Sequence, residues 1–260
     1  MEKTIYLAWQ DSNSRRWFPI GRLRFDGRSF VFVYTGGALE AQQHAGFSPL
    51  AAFPQWHSVY ESDKLFPLFA NRLLRSSRPD FQQYLNWLSV PESDPDPLLI
   101  LARSGGQRVT DTMDVFPYPD HLEDGVYETH FLVHGLSQMT AESCERATLL
   151  QPGESLSLMW DFQNPFDPNA LALRTAETYK QDMFLVGYCP RFLSGDILKL
   201  MDKPGNSPLI VVERVNPPPA PFQFRILCKL RMKWPAGFKP FSGPEYQPLR
   251  AELEMQDRVA

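Results

Sequence analysis

The sequence predicts a mainly β protein with a few helices, of the α+β class. Three observations lead there. Along residues 222–234, Phe222, Phe224, Ile226, Cys228, Leu230, Met232 and Trp234 hold one parity, while Gln223, Arg225, Lys229, Arg231 and Lys233 hold the other. Leu227 is the apolar exception, and the period is that of a half-buried strand. The runs Trp17–Phe25 and Ser29–Tyr34 flank Asp26-Gly27, a favoured hairpin signal. Finally, 156–160, 170–174 and 183–187 read as three strands around a turn rich in Asn, Asp and Pro. Such residues bond nearby backbone N–H groups or fix φ.

In chain order, Thr4–Trp9 opens a meander that ends at Gly36-Gly37. Residues 38–61 show no period, and Pro49 and Pro54 suggest an extended segment laid over the sheet. A helix is expected over Lys64–Leu74, capped by Ser62 or Asp63, with Leu65, Phe66, Phe69 and Leu73 on one face. Pro79 opens a second, carrying Phe81, Tyr84, Leu85 and Leu88. Residues 89–97 read as a loop, and 98–101 and 112–116 as strands. A linker is expected over 121–128, closing Pro-, Asp- and His-rich sequence. Beyond it come a strand at 129–135, a short helix at 142–150 with Thr140 as cap, a helix at 192–201 burying Leu193, Ile197 and Leu200, and a strand at 208–215. Residues 235–260 read as a peripheral tail. The expected division is therefore 1–120, linker 121–128, 129–234 and tail 235–260.

Composition narrows the function. With 260 residues, 43% of them apolar or aromatic, the chain can build one large or two small cores. Its net charge of −4 argues against coating nucleic acid by bulk charge, so any such binding must be local. Cys144, Cys189 and Cys228 are widely spaced and form no C-x-x-C pair, which supports neither a disulfide framework nor zinc. No apolar run approaches the ~18 residues of a membrane span and no signal sequence opens the chain, so a soluble cytoplasmic protein is expected.

The most distinctive stretch is Asn164-Pro165-Phe166-Asp167-Pro168-Asn169-Ala170, followed by Gly187-Tyr188-Cys189-Pro190-Arg191 at the start of a helix. This combination resembles the HIRAN domain, found in some DNA-repair helicases and in small bacterial proteins, over about residues 129–234. The resemblance implies an OB-like β-barrel whose pocket holds the free 3′ end of single-stranded DNA. It assigns Phe166 to stack on the terminal base, Asp167 to accept from the terminal hydroxyl and Asn164 to shape the turn or bind the backbone, all as nucleic-acid-binding residues. Arg191 would meet phosphate, with Tyr188 beside it. Phe222 or Phe224 would supply a later ring. Independently of the resemblance, period-2 geometry puts Arg225, Lys229, Arg231 and Lys233 on one face, which is either a solvated outer face or a phosphate-tracking one. One departure is visible: related domains often carry a basic–aromatic pair after Gly-Leu, where this chain has Ser137-Gln138 after Gly135-Leu136.

The first half carries a second resemblance. Ile20-Gly21-Arg22-Leu23, Phe30-x-Phe32-x-Tyr34, Ser48-Pro49-Leu50 and the run from Leu65 to Leu74 resemble, in order, the N-terminal subdomain of HipA-type kinases over about residues 1–120. The catalytic lobe of that family has no counterpart here. The resemblance implies a β-rich domain that contacts protein partners, such as a HipA-type kinase or its antitoxin.

Catalytic motifs are missing. His44, His57, His121, His130 and His134 form no metal-binding spacing, and neither a Walker loop nor a G-x-S-x-G elbow occurs. No cofactor is expected. Asp161 and Asp167, flanking one turn, read as turn-stabilising residues, with a nuclease metal pair as the alternative. The expectation is a non-catalytic module that binds single-stranded DNA ends in repair or processing. The alternatives are a protein-interaction adaptor of a HipA-like system and a metal-dependent nuclease.

Overall fold

The computed structural model describes residues 3–93, 95–122, 124–176 and 182–250. Residues 251–260 of the expected tail, Asp94 of the loop and Glu123 of the linker lie outside them. The chain forms two compact units, crossing between them at 74–75, 104–105, 118–119 and 240–241.

The first unit is built on an antiparallel five-stranded sheet, ordered β4-β3-β2-β1-β5. Its strands are β1 (Lys3–Gln10), β2 (Trp17–Phe25), β3 (Phe30–Tyr34), β4 (Tyr60–Ser62) and β5 (Met113–Pro117). The β2–β3 hairpin turns where expected. Asp26 Oδ1 accepts from the N–H groups of Arg28 (2.8 Å) and Ser29 (2.9 Å), and Gly27 takes φ 99°, a value that suits glycine.

Three expectations for this unit change. Gly36-Gly37 does not merely end a strand; it begins helix α1 (Gly36–Ala45). Gly37 is needed because a Cβ there would lie 2.3 Å from the Pro19 carbonyl oxygen. The run that follows, Ala-Leu-Glu-Ala-Gln-Gln, is good helix sequence, which outweighs its lack of apolar period. Helix α2 is only one turn, Pro67–Ala70, with Phe66 at its N-cap, so neither Ser62 nor Asp63 caps it. Residues 241–250 are no loose tail. Phe241 is buried and its ring meets those of Tyr6, Phe116 and Tyr246, while Leu249 N–H bonds to the Tyr34 carbonyl.

The second unit begins with helices α3 (Phe81–Trp87) and α4 (Pro97–Ser104). Residues 98–101 are therefore helical, not a strand. An apolar run of four is ambiguous by period, and Asp96 Oδ1 accepting from Leu98 N–H at 3.0 Å settles the helix start. These helices join the following sheet through Asn216, whose Nδ2 donates to Trp87 O (2.9 Å), through Arg214 Nε to Ser89 Oγ (2.8 Å), and through Phe224, which meets the rings of Tyr84 and Trp87.

That sheet is antiparallel and seven-stranded, ordered β10-β9-β8-β11-β12-β7-β6. The strands are β6 (Asp120–His121), β7 (Val126–Leu132), β8 (Ser155–Trp160), β9 (Leu171–Thr175), β10 (Leu185–Tyr188), β11 (Leu209–Val215) and β12 (Ile226–Lys233). Much of the expected linker is thus strand: β6 pairs with β7, and Trp234 N–H bonds to Gly125 O at 2.7 Å. Helix α5 (Ala141–Thr148) is capped by Thr140, and α6 (Arg191–Met201) buries Leu193, Ile197 and Leu200, both as expected. They close over a core that includes Phe131, Leu156, Leu171, Val186, Ile210 and Leu230.

The ladders leave the sheet open, but its two sides meet at one point. Just past β7, His134 and Tyr188 exchange backbone hydrogen bonds of 2.9 and 2.8 Å. Gly187 makes this approach possible: its φ is 135°, and a Cβ would lie 2.4 Å from His134 O and 2.5 Å from Val133 Cγ1.

Candidate nucleic-acid-binding site

The site grows from the connection between β8 and β9. The hairpin ladder ends at Trp160 opposite Leu171, and Asp161 N–H bonding to Ala170 O (2.9 Å) holds the loop neck together. Within the loop, Asn164 organises the backbone. Its Oδ1 accepts from the N–H groups of Phe166 (3.0 Å) and Asp167 (3.2 Å), and its Nδ2 donates to Asp161 Oδ2 (3.2 Å). Asp167 Oδ1 accepts from Asn169 N–H at 3.0 Å. Pro165 and Pro168 have no N–H to satisfy, so short Asx side chains and prolines fix the loop with few residues.

The second half of the site comes from the end of β10 and the start of α6. Cys189 N–H bonds to Leu171 O (2.9 Å), pinning this junction against the loop neck. Tyr188 then donates its hydroxyl to Asp161 Oδ2 at 3.0 Å. Arg191 donates from Nε to Asp167 Oδ2 (3.0 Å) and from Nη2 to Phe166 O (2.9 Å). Burial, and then the neighbouring Asp161 carboxylate, push the Tyr188 hydroxyl pKa up, so at neutral pH it remains a donor. Asn164, Phe166, Asp167, Tyr188 and Arg191 are therefore brought together, with the Phe166 ring 73% exposed at the loop surface.

The other predicted residues come from the 222–225 turn and from β12. The 222–234 alternation holds from Ile226 to Lys233 but fails before it. Phe222–Phe224 form a 3-10 turn and Arg225 its cap, because Pro221 starts a turn there rather than a strand. Phe222 is exposed under the Arg225 guanidinium, 5.1 Å from its ring centre, whereas Phe224 packs on α3. Arg225 Nε donates to Ala220 O. Lys229, Arg231 and Lys233 share the outward parity of β12. Lys229 pairs with Glu213 (3.5 Å), and Arg231 with Glu128 (3.1 Å) and Asp124 (3.8 Å), so much of this row is a charge-matched face rather than a bare cationic track. Arg225 is not part of it.

Asp161 and Asp167 turn to different partners, Tyr188 and Arg191, and no cluster of three potential metal ligands occurs among the described residues. Sequence reasoning missed two features. One is Asp161 as the partner of Tyr188. The other is Trp160 and Phe162, 54% and 71% exposed. Their nearness to the Asn-Pro-Phe-Asp turn was the available signal. Ser137 and Gln138 form a turn beside Tyr188, since a Cβ on Gly135 would lie 3.4 Å from Tyr188 Cδ2.

Residues 126–234 match the family model of the HIRAN domain. The match covers the β7–β12 sheet, both halves of the site and helices α5 and α6, and starts three residues before the sequence-based boundary. Two solved structures show weak likeness to the chain. The HIRAN domain of human HLTF is 22% identical over 42% of this chain and 73% of that one, with a TM-score of 0.28. A protein from Lactobacillus plantarum is 19% identical over 42% of this chain and 97% of that one, with a TM-score of 0.30. No curated protein matches the chain. The comparisons give no support to the likeness of residues 1–120 to HipA-type kinases. Among the described residues no helix is long and apolar enough to cross a membrane.

Proposed function

We propose that the HIRAN domain of this chain binds the 3′-hydroxyl end of single-stranded DNA at the β8–β9 loop and the start of α6, without catalysing a reaction, in DNA repair or processing. The HIRAN match implies a nucleic-acid-binding module. The observation that carries the reading further is the hydrogen-bonded network Tyr188–Asp161–Asn164 beside Asp167–Arg191, which holds an exposed aromatic ring next to a guanidinium and a carboxylate.

In this reading Phe166 stacks on the terminal base and Asp167 accepts a hydrogen bond from the terminal hydroxyl. A 3′-phosphate in its place would be repelled. Arg191, one third exposed, meets the adjoining phosphate while its bonds to Asp167 and Phe166 O hold the turn against the helix. Asn164 keeps Phe166 and Asp167 in position rather than touching DNA.

The test is fluorescence anisotropy with short single strands. Phe166→Ala is expected to cost about 1–3 kcal/mol of binding through lost stacking. Arg191→Ala is expected to weaken binding and lower its salt dependence by about one phosphate contact. Binding that is insensitive to both substitutions contradicts the reading. Magnesium-dependent release of nucleotides, lost in Asp167→Ala, would overturn its non-catalytic part.

A further inference from the structure

The β8–β9 loop exposes more aromatic surface than one terminal base can use. Of the exposed Trp and Phe side chains among the described residues, Trp160 ends β8, Phe162 and Phe166 lie in the loop that follows, and Phe222 lies in the turn before β12. Trp160, Phe162 and Phe166 each keep more than half of their surface exposed.

The loop itself holds the first ring in place. Trp160 Nε1 donates to Pro168 O at 2.9 Å, across the turn, which satisfies the indole without burying it. Met159 is also exposed. Successive residues of a strand face opposite sides, so exposure of both means that the end of β8 projects clear of the core.

The charge around them selects the ligand. Between Glu154 and Arg174 the chain has no Lys or Arg, while Asp161 and Asp167 stand in the loop. A surface that is aromatic and anionic gives a phosphate backbone nothing to pair with, but it suits the neutral faces of unpaired bases. Phe166 belongs to the same loop, and the cation that meets the loop, Arg191, comes from α6 and is held by Asp167 Oδ2 and Phe166 O.

We infer that Trp160 and Phe162 stack on successive unpaired bases inward from the strand end, extending the site to about three nucleotides. This rests on the DNA-end reading above. Stacking rather than charge then supplies most of the affinity, and binding depends on the strand being unpaired for several nucleotides, not only at its terminus.

The experiment uses the full chain and Phe162, which makes no side-chain hydrogen bond that the loop needs. Anisotropy titrations compare a 3′-OH dinucleotide with a 3′-OH hexanucleotide for the intact protein, Phe162→Ala and Phe162→Leu. The intact protein is expected to prefer the hexanucleotide. Both substitutions are expected to weaken the hexanucleotide roughly tenfold, with the dinucleotide unchanged, since leucine keeps apolar bulk but has no π-face. Trp160→Phe, which keeps a ring, is expected to bind better than Trp160→Ala. If the intact protein selects 3′-OH ends but the Phe162 variants bind the hexanucleotide normally, this inference falls and the end-reading site stands. Full binding by Phe162→Leu alone also overturns it, because apolar contact would then suffice. If the intact protein binds no single strand, the DNA-end reading fails and this inference with it.

Discussion

The Tyr188 hydroxyl donates to Asp161 at 3.0 Å, while the backbone of the same tyrosine closes the sheet against His134. One residue thus ties the β8–β9 loop to the point where the two sides of the sheet meet. The arrangement makes loop geometry depend on the fold, and several measurable consequences come from it.

Tyr188→Phe removes the donor and keeps the ring. It is expected to destabilise the domain by about 0.5–1.5 kcal/mol, the usual net value of one such bond. It should also loosen the loop, because the Asp161 carboxylate then keeps its bond from Asn164 Nδ2 but loses the one from Tyr188. Urea denaturation measures the first effect. A drop in affinity for single strands larger than the drop in stability measures the second.

Gly187→Ala is expected to be far more damaging. The new Cβ would stand 2.4 Å from His134 O in a backbone conformation that alanine disfavours. A loss of more than about 2 kcal/mol is expected in chemical denaturation, from strain and from separation of the His134–Tyr188 bridge.

The outer face of the sheet predicts acid behaviour. His130 Nε2 lies 2.8 Å from Glu213 Oε2, and that bond, with Lys229 nearby, pulls the Glu213 carboxyl down to about 2. A depressed carboxyl contributes stability that is complete above its unfolded pKa, about 4.3, and is lost as pH falls from there towards 2. Glu213→Gln is therefore expected to flatten the fall of the urea midpoint across that window, leaving its shape above it little changed.

Much of the fold could be read from local chemistry, and the exceptions have physical causes. The Asp26-Gly27 hairpin, the 226–233 alternation and the apolar face of α6 were legible because each pattern is repeated along its own element. The helix at 98–101 was not, since four apolar residues fit either period and Asp96 decides by capping. Phe222 and Phe224 kept strand parity by coincidence while Pro221 set a turn. Phe241 joined the first unit's core through contacts more than a hundred residues away in sequence, which no local pattern carries.

The site divides in the same way. Asn164, Phe166, Asp167, Tyr188 and Arg191 were legible as a motif, and the structure brings them together through the loop neck at Leu171 and Cys189. The exposure of Trp160 and Phe162 was not, because it depends on where β8 leaves the core. The expected cationic face was misjudged since its counter-charges, Glu128 and Glu213, lie on the neighbouring strands β7 and β11.

The most direct test of the proposed function compares two single strands that are identical except at the terminus, one ending in a 3′-hydroxyl and one in a 3′-phosphate, titrated by anisotropy against the intact chain. Tighter binding of the free end is expected, with the preference lost in Asp167→Ala. Equal binding of both strands by the intact chain would contradict the end-reading account.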